Sequence, residues 1–241
     1  MRAKAERLLD QQKPTLLIGT PMCTAFSSWQ HINNKKRDPS VVESERKSGL
    51  MHLAWMCKLY AKQARAGRLF LHEHPAHATS WNEKCVLEVL QLKGVRRVTG
   101  DQCQYGQQAE NGEPVMKQTG FMSNCPDILD RLGKRCNGRQ GLCGRPGGGT
   151  HQLCHGKTAR RAAIFQRELC EEILIGLKNY MIRHRRMKVN EQFYTEGCGT
   201  MIDGDDDVRL HHRSDFHRLR SANDGLDDLA QLVGPTTRST T

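Results

Sequence analysis

Pro14-Thr15-Leu16-Leu17-Ile18-Gly19-Thr20-Pro21-Met22-Cys23-Thr24-Ala25-Phe26-Ser27 moves within fourteen residues from a short apolar run to a proline-punctuated loop carrying a cysteine. An apolar run of this length between turn residues reads as a buried strand of a parallel sheet. Pro21 to Gln30 then reads as the loop at its carboxyl end. A cysteine at such an exit stands on a rigid support and can face a cleft, which suits a nucleophile of fixed attack geometry. It suits equally a small buried packing residue.

Working outward, Met1 to Gln12 reads as a short charged helix, and Val42 to Ala66 as a helix carrying Leu50, Leu53, Ala54, Cys57, Tyr60, Ala61 and Ala64 at helical spacing, with Gly67 as its stop. A second strand is expected at Arg68 to His72, a helix over Asn82 to Leu92 and a third strand at Val95 to Thr99. Alternating strands and helices predict an α/β fold, a parallel sheet with crossover helices whose site lies at the carboxyl ends of its strands. That rule puts Cys23 and Glu73 on one rim. Asp101 to Gly156 reads as loop-rich, Thr158 to Arg186 as one long C-terminal helix, and residues 188–241 as a polar, disordered tail or linker beyond a domain of residues 1–187.

The formal charge of +11 and pI near 9.3 favour a polyanionic partner, nucleic acid before all without separating DNA from RNA, with Arg160, Arg161, Arg183, Arg185 and Arg186 as candidate phosphate contacts. A solvated helix face accounts for the same arginines, and aromatic content of 5% argues against a base-stacking platform. The charged amino-terminal residues contain no signal core and no apolar run reaches membrane-spanning length, so the ten cysteines are expected to be reduced and the location intracellular, the nucleus included. Cys125, Cys136, Cys143, His151, Cys154 and His155 lie in a Gly-rich stretch. Thiolate and imidazole are the ligand chemistry of structural zinc, and Cys136, Cys143, His151 and Cys154 form the best four.

The second stretch that carries chemistry is Leu69-Phe70-Leu71-His72-Glu73-His74-Pro75. Taken with Pro21-Met22-Cys23 and Phe26-Ser27, and with the later Gln104-Tyr105-Gly106, it resembles the catalytic half of the cytosine-5 DNA methyltransferases. In that family a Pro-Cys loop follows one strand, a Glu-Asn-Val turn the next, and a Tyr-Gly turn precedes the substrate loop. The resemblance implies a partial Rossmann-like methyltransferase sheet in which Cys23 adds to C6 of a flipped-out cytosine, Glu73 holds or protonates N3, and the methyl group comes from S-adenosylmethionine.

His74 is then expected to orient Glu73 or donate to the base, with Pro21, Thr24, Ser27, Tyr105, Gly106 and Lys117 lining the substrate. Met22 stands in place of a second proline, His74-Pro75 in place of Asn-Val, and Lys117 in place of the substrate-loop arginines. Thirteen residues precede Pro14, too few for the Gly-rich cofactor unit, and the later Phe193 to Gly199 does not follow a buried strand. The cofactor half is therefore expected from another polypeptide or an upstream polyprotein region. With Phe121-Met122-Ser123-Asn124, His151 and Ala162-Ala163-Ile164-Phe165, the pattern also resembles methyltransferase-like segments of retroelement polyproteins. The competing expectation is a nucleic-acid-binding or structural module that keeps the rim without the chemistry.

Overall fold

The computed structural model describes residues 2–27, 30 and 34–186. The polar tail expected over residues 188–241 lies outside them. The elements are α1 (Arg2–Gln12), β1 (Leu16–Gly19), α2 (Pro39–Arg65), β2 (Leu69–Pro75), α3 (Lys84–Leu90), β3 (Arg96–Asp101), β4 (Gln118–Ser123), α4 (Pro126–Leu132), α5 (Gly156–Arg161) and α6 (Arg167–Arg183), with single 3-10 turns at Thr24–Phe26, Asn34–Lys36, Thr79–Asn82 and Gln102–Tyr105. No helix of the described residues is long and apolar enough to cross a membrane.

The four strands form one open sheet in the order β1-β2-β4-β3. β1 and β2 are parallel, Leu16 opposite Leu69 and Gly19 opposite His72. The expectation of a wholly parallel sheet is corrected at β4, which lies inside the segment read as loop and runs antiparallel to both β2 and β3. Gln118-Thr119-Gly120-Phe121-Met122-Ser123 is too polar and too rich in small residues to announce a strand. A partner on each side nevertheless satisfies its backbone, and Phe121 and Met122 are fully buried on opposite faces. Since β4 opposes both neighbours, β1, β2 and β3 all run the same way and present their carboxyl ends along one edge.

Each face of the sheet carries a core. Phe70, Trp81 and Met122 pack with Leu53, Met56 and Tyr60 of α2 and Val86 and Val89 of α3. On the other face Leu69, Leu71 and Phe121 pack with Ile128, Leu129 and Leu132 of α4 and Leu169 and Ile173 of α6. In α2 the spacing of Leu53, Met56, Cys57 and Tyr60 makes the buried stripe. Its start is set by Asp38, whose carboxylate accepts from the Ser40 N–H at 2.8 Å, with Pro39 in the first turn. Asp38→Ala is expected to cost about 1 kcal/mol in urea unfolding, the usual worth of such a cap.

The single long helix expected over Thr158 to Arg186 is two helices, α5 and α6, with a break between them. The Ala162 carbonyl accepts from Lys117 Nζ at 3.0 Å instead of continuing the helical ladder. Gln166 is extended and starts the next helix. The Lys117 contact ties the carboxyl end of α5 to the residue that precedes β4.

Candidate functional site

Three strand ends supply the rim. After β1, the carbonyl of Cys23 accepts from the Phe26 N–H at 3.0 Å and that of Thr24 from the Ser27 N–H at 3.3 Å, forming a tight 3-10 turn. Pro21 and Phe26 are buried, Cys23 is half-buried, and Met22 and Thr24 face outward. The turn therefore sits on a packed base with the cysteine at the boundary between core and solvent.

β2 continues through Pro75, three residues beyond the expected end at His72, so Glu73 and His74 occupy opposite faces. Glu73 follows Leu69 and Leu71 onto the face covered by α4 and α6, and reaches Lys117 at the start of β4, Nζ to Oε1 3.5 Å. His74 lies on the other face, 5.3 Å from the His72 ring and 6.1 Å from Phe26. Its Nε2 meets the Pro21 carbonyl at 3.0 Å and its Nδ1 the Ser80 hydroxyl at 2.6 Å. With a carbonyl at Nε2, that nitrogen carries the proton and Nδ1 accepts from Ser80. The expectation that His74 orients Glu73 or contacts a base is thus corrected: it pins the Pro21 to Cys23 loop to β2.

The charges of the rim act on one another. Burial pushes the Glu73 carboxyl up from its usual range, partly offset by Lys117. Burial also raises the Cys23 thiol, the negative charge of Glu73 raises it further, and Lys117 works the other way. His74 is brought down to about 4, chiefly by burial. Cys23, Glu73 and Lys117 therefore form one electrostatic unit: a protonated Glu73 removes a charge opposing thiolate formation, and Lys117 favours it.

Other expected residues divide. Tyr105 is buried in the second core, its hydroxyl donating to Arg131 O and accepting from Lys134 N, both at 3.0 Å. Gly106 follows at φ 81 with the Glu168 carboxylate against its Cα. This pair anchors a turn and does not face the rim. Arg183 pairs with buried Asp127 at 2.7 Å, and Arg186 donates to Gly67 O at 3.3 Å, so both are engaged within the fold. Arg185 is exposed beyond α6. Arg160 and Arg161 are exposed on α5, one turn from the Ala162 carbonyl that holds Lys117. Trp81 is buried, donates Nε1–H to Pro75 O at 2.8 Å, and stacks under Arg97, whose guanidinium carbon is 3.9 Å from the ring centre.

A second cluster lies at the end of β3. Cys103, Cys136, Cys143 and His151 bring one donor atom each to within 4.8 Å of one another, a set that could hold a metal ion. Cys154 is not part of it, correcting the expected fourth ligand. Burial raises the Cys154 thiol, with Lys117 working the other way. Cys103 was hidden because it is remote in sequence from the other three, and only the return of the chain from α4 to the β3 end unites them.

Comparison with protein families, curated proteins and solved structures finds no match to this chain.

Proposed function

We propose that the rim of Cys23, Glu73 and Lys117 is the base-handling part of a nucleic-acid cytosine-5 methyltransferase-like enzyme. The observation that supports this reading is the meeting of a thiol, a buried carboxyl and an ammonium from the ends of β1 and β2 and the start of β4, mutually coupled in charge. The Cys23 thiol gives its proton to water, the thiolate sulfur adds to C6 of cytosine, the C5=C6 pair shifts to C4=C5, and the C4=N3 pair takes at N3 the proton that Glu73 supplies. Lys117 keeps a positive charge beside the carboxyl throughout. Reversal expels the thiolate and returns the proton to Glu73.

S-adenosylmethionine does not fit the described residues. No strand precedes β1 among them, and none of their glycine-containing turns forms a strand-turn-helix cradle at a sheet edge. The methyl donor's half of the site would come from another segment or polypeptide, and the chemistry assigned to the described residues stops at base capture.

A reading as a nucleic-acid-binding module without chemistry is favoured by one observation: the resting thiol is raised, not lowered. Base capture answers it only if the thiol is deprotonated when substrate is bound. An oligonucleotide containing 5-azacytosine separates the two, because ring nitrogen at position 5 makes C6 more electrophilic and can hold the proton after addition. The expected result is a covalent adduct, stable on a denaturing gel, whose peptide maps to Cys23. Salt-sensitive binding without adduct, or an adduct on another cysteine, overturns base capture in favour of binding alone.

A further inference from the structure

We propose that Cys103, Cys136, Cys143 and His151 form a closed tetrahedral zinc site that staples the substrate-side loop to the end of β3. This goes beyond base capture and stands on separate residues.

The donor spacing carries the assignment. Sulfurs bound tetrahedrally at Zn–S of about 2.3 Å stand about 3.8 Å apart, and such a sulfur stands about 3.6 Å from an imidazole nitrogen on the same ion. Cys136 Sγ is 3.8 Å from Cys143 Sγ and 3.6 Å from His151 Nε2. These are tetrahedral edges, too long for a disulfide at about 2.05 Å. Three thiolates and one imidazole leave no ligand position open, which is the structural rather than the catalytic arrangement of zinc.

The surroundings serve the same geometry. The Gly144 N–H donates to Cys136 Sγ at 3.4 Å, and the Gln104 amide reaches Cys103 Sγ at 3.6 Å and Cys143 Sγ at 3.9 Å. Donors of this kind orient and stabilise metal-bound thiolates. The backbone leading into the site is fixed by buried Asp101, whose Oδ2 accepts from Cys136 N at 2.7 Å and Arg135 Nε at 3.1 Å. A Cβ at Gly138 would collide with the Leu142 carbonyl, so the ligand loop closes on itself only around glycine.

The loop needs such a staple. From residue 133 to 161 Cys143 alone is buried, so apolar packing cannot hold this stretch. Its order is passed on: the Gln152 N–H donates to Pro114 O at 2.8 Å, and Val115 pairs with Gln152 two residues before Lys117. The metal therefore stands behind the strand that delivers Lys117 to Glu73.

The whole chain, purified reduced, is expected to carry one zinc by metal analysis. Cobalt(II) in its place is expected to give the intense visible bands of a tetrahedral ion with thiolate charge transfer. Cys154→Ser keeps the metal, Cys103→Ser loses it, and His151→Cys keeps a tetrahedral cobalt spectrum with added sulfur charge transfer. If Cys103→Ser fails to fold, the wild-type cobalt spectrum together with the Cys154→Ser metal content decides. Absence of stoichiometric metal from zinc-supplemented wild type, a six-coordinate cobalt spectrum, or loss of metal in Cys154→Ser overturns the site.

Discussion

Cys23→Ser is expected to reduce exchange of the cytosine C5 hydrogen with solvent to the uncatalysed background, and Glu73→Gln to slow it by about 10²–10⁴-fold, the usual worth of a positioned acid-base group. Exchange is the right readout because it needs base capture alone. Addition of sulfur at C6 makes C5 basic, C5 takes a proton from water, and elimination then releases either hydrogen. Loss of tritium from 5-tritiated cytosine in an oligonucleotide measures the cycle directly.

A serine hydroxyl in the same turn is a far weaker nucleophile at neutral pH than a thiolate. Glutamine keeps the shape of Glu73 but cannot give up a proton to N3. The two variants also differ in pH dependence. Wild type should show a bell: the falling alkaline limb reports loss of the Glu73 proton and the acid limb loss of the thiolate, with both groups raised by burial. Glu73→Gln, which has no proton to lose beside the thiol, should show in place of the bell a single rising limb set by thiolate formation. Equal exchange in wild type and Cys23→Ser removes the nucleophile role, and a Glu73→Gln profile identical in shape to wild type removes the proton role.

The parts of this site that could be read from sequence were those fixed by local apolar runs. Leu16 to Ile18 and Leu69 to Leu71 announce strands, and the strand-end rule then places Cys23 and Glu73 on one rim; the expected burial holds for β2 but not for β1, which is the sheet edge and leaves Ile18 exposed. In the structure the charge of Glu73 acts on the Cys23 thiol. What could not be read depended on partners distant in the chain. β4 exists because β2 and β3 flank it, and its Gly120 admits the Trp81 ring that a side chain would displace.

His74 was assigned to the site because it adjoins Glu73 in sequence; the continuation of β2 through Pro75 sends it to the opposite face. The helix break after Arg161 follows from one contact, Lys117 with the Ala162 carbonyl, that no helical periodicity encodes. Cys154 is closer in sequence to His151 than Cys103 is, and sequence proximity favoured the wrong ligand.

Acidification from pH 7.5 to 5 is expected to remove about 2–4 kcal/mol of folding stability, through histidines rather than carboxylates. His72 and His74 lie side by side between β2 and the first core, facing Tyr60, Phe26, Trp81 and Arg97. Burial first, then the neighbouring positive charges of His74 and Arg97, hold His72 down at about 3; burial holds His74 at about 4. Both rings are neutral in the folded chain at pH 5, whereas in the unfolded chain both are protonated below about 6.5.

Unfolding therefore takes up protons as pH falls, and stability present above 6.5 is lost below it. Each proton is worth about 1.4 kcal/mol per pH unit. Glu73 works in the other direction. Its raised carboxyl binds a proton in the folded state first, adding stability at low pH that is lost as pH rises through its folded value. Glu73 therefore opposes the two histidines over this window. Urea midpoints measured between pH 7.5 and 5 should fall steadily, and His72→Leu should remove one histidine's share of the slope whatever it does to the midpoint at pH 7.5. A midpoint flat across this range, or a His72 ring resonance titrating near 6.5, would show that the pair is not held neutral by the fold. Because His74 donates its Nε2–H to the Pro21 carbonyl, the added proton goes to Nδ1, where it removes the acceptor of the Ser80 hydroxyl and leaves the Pro21 bond in place.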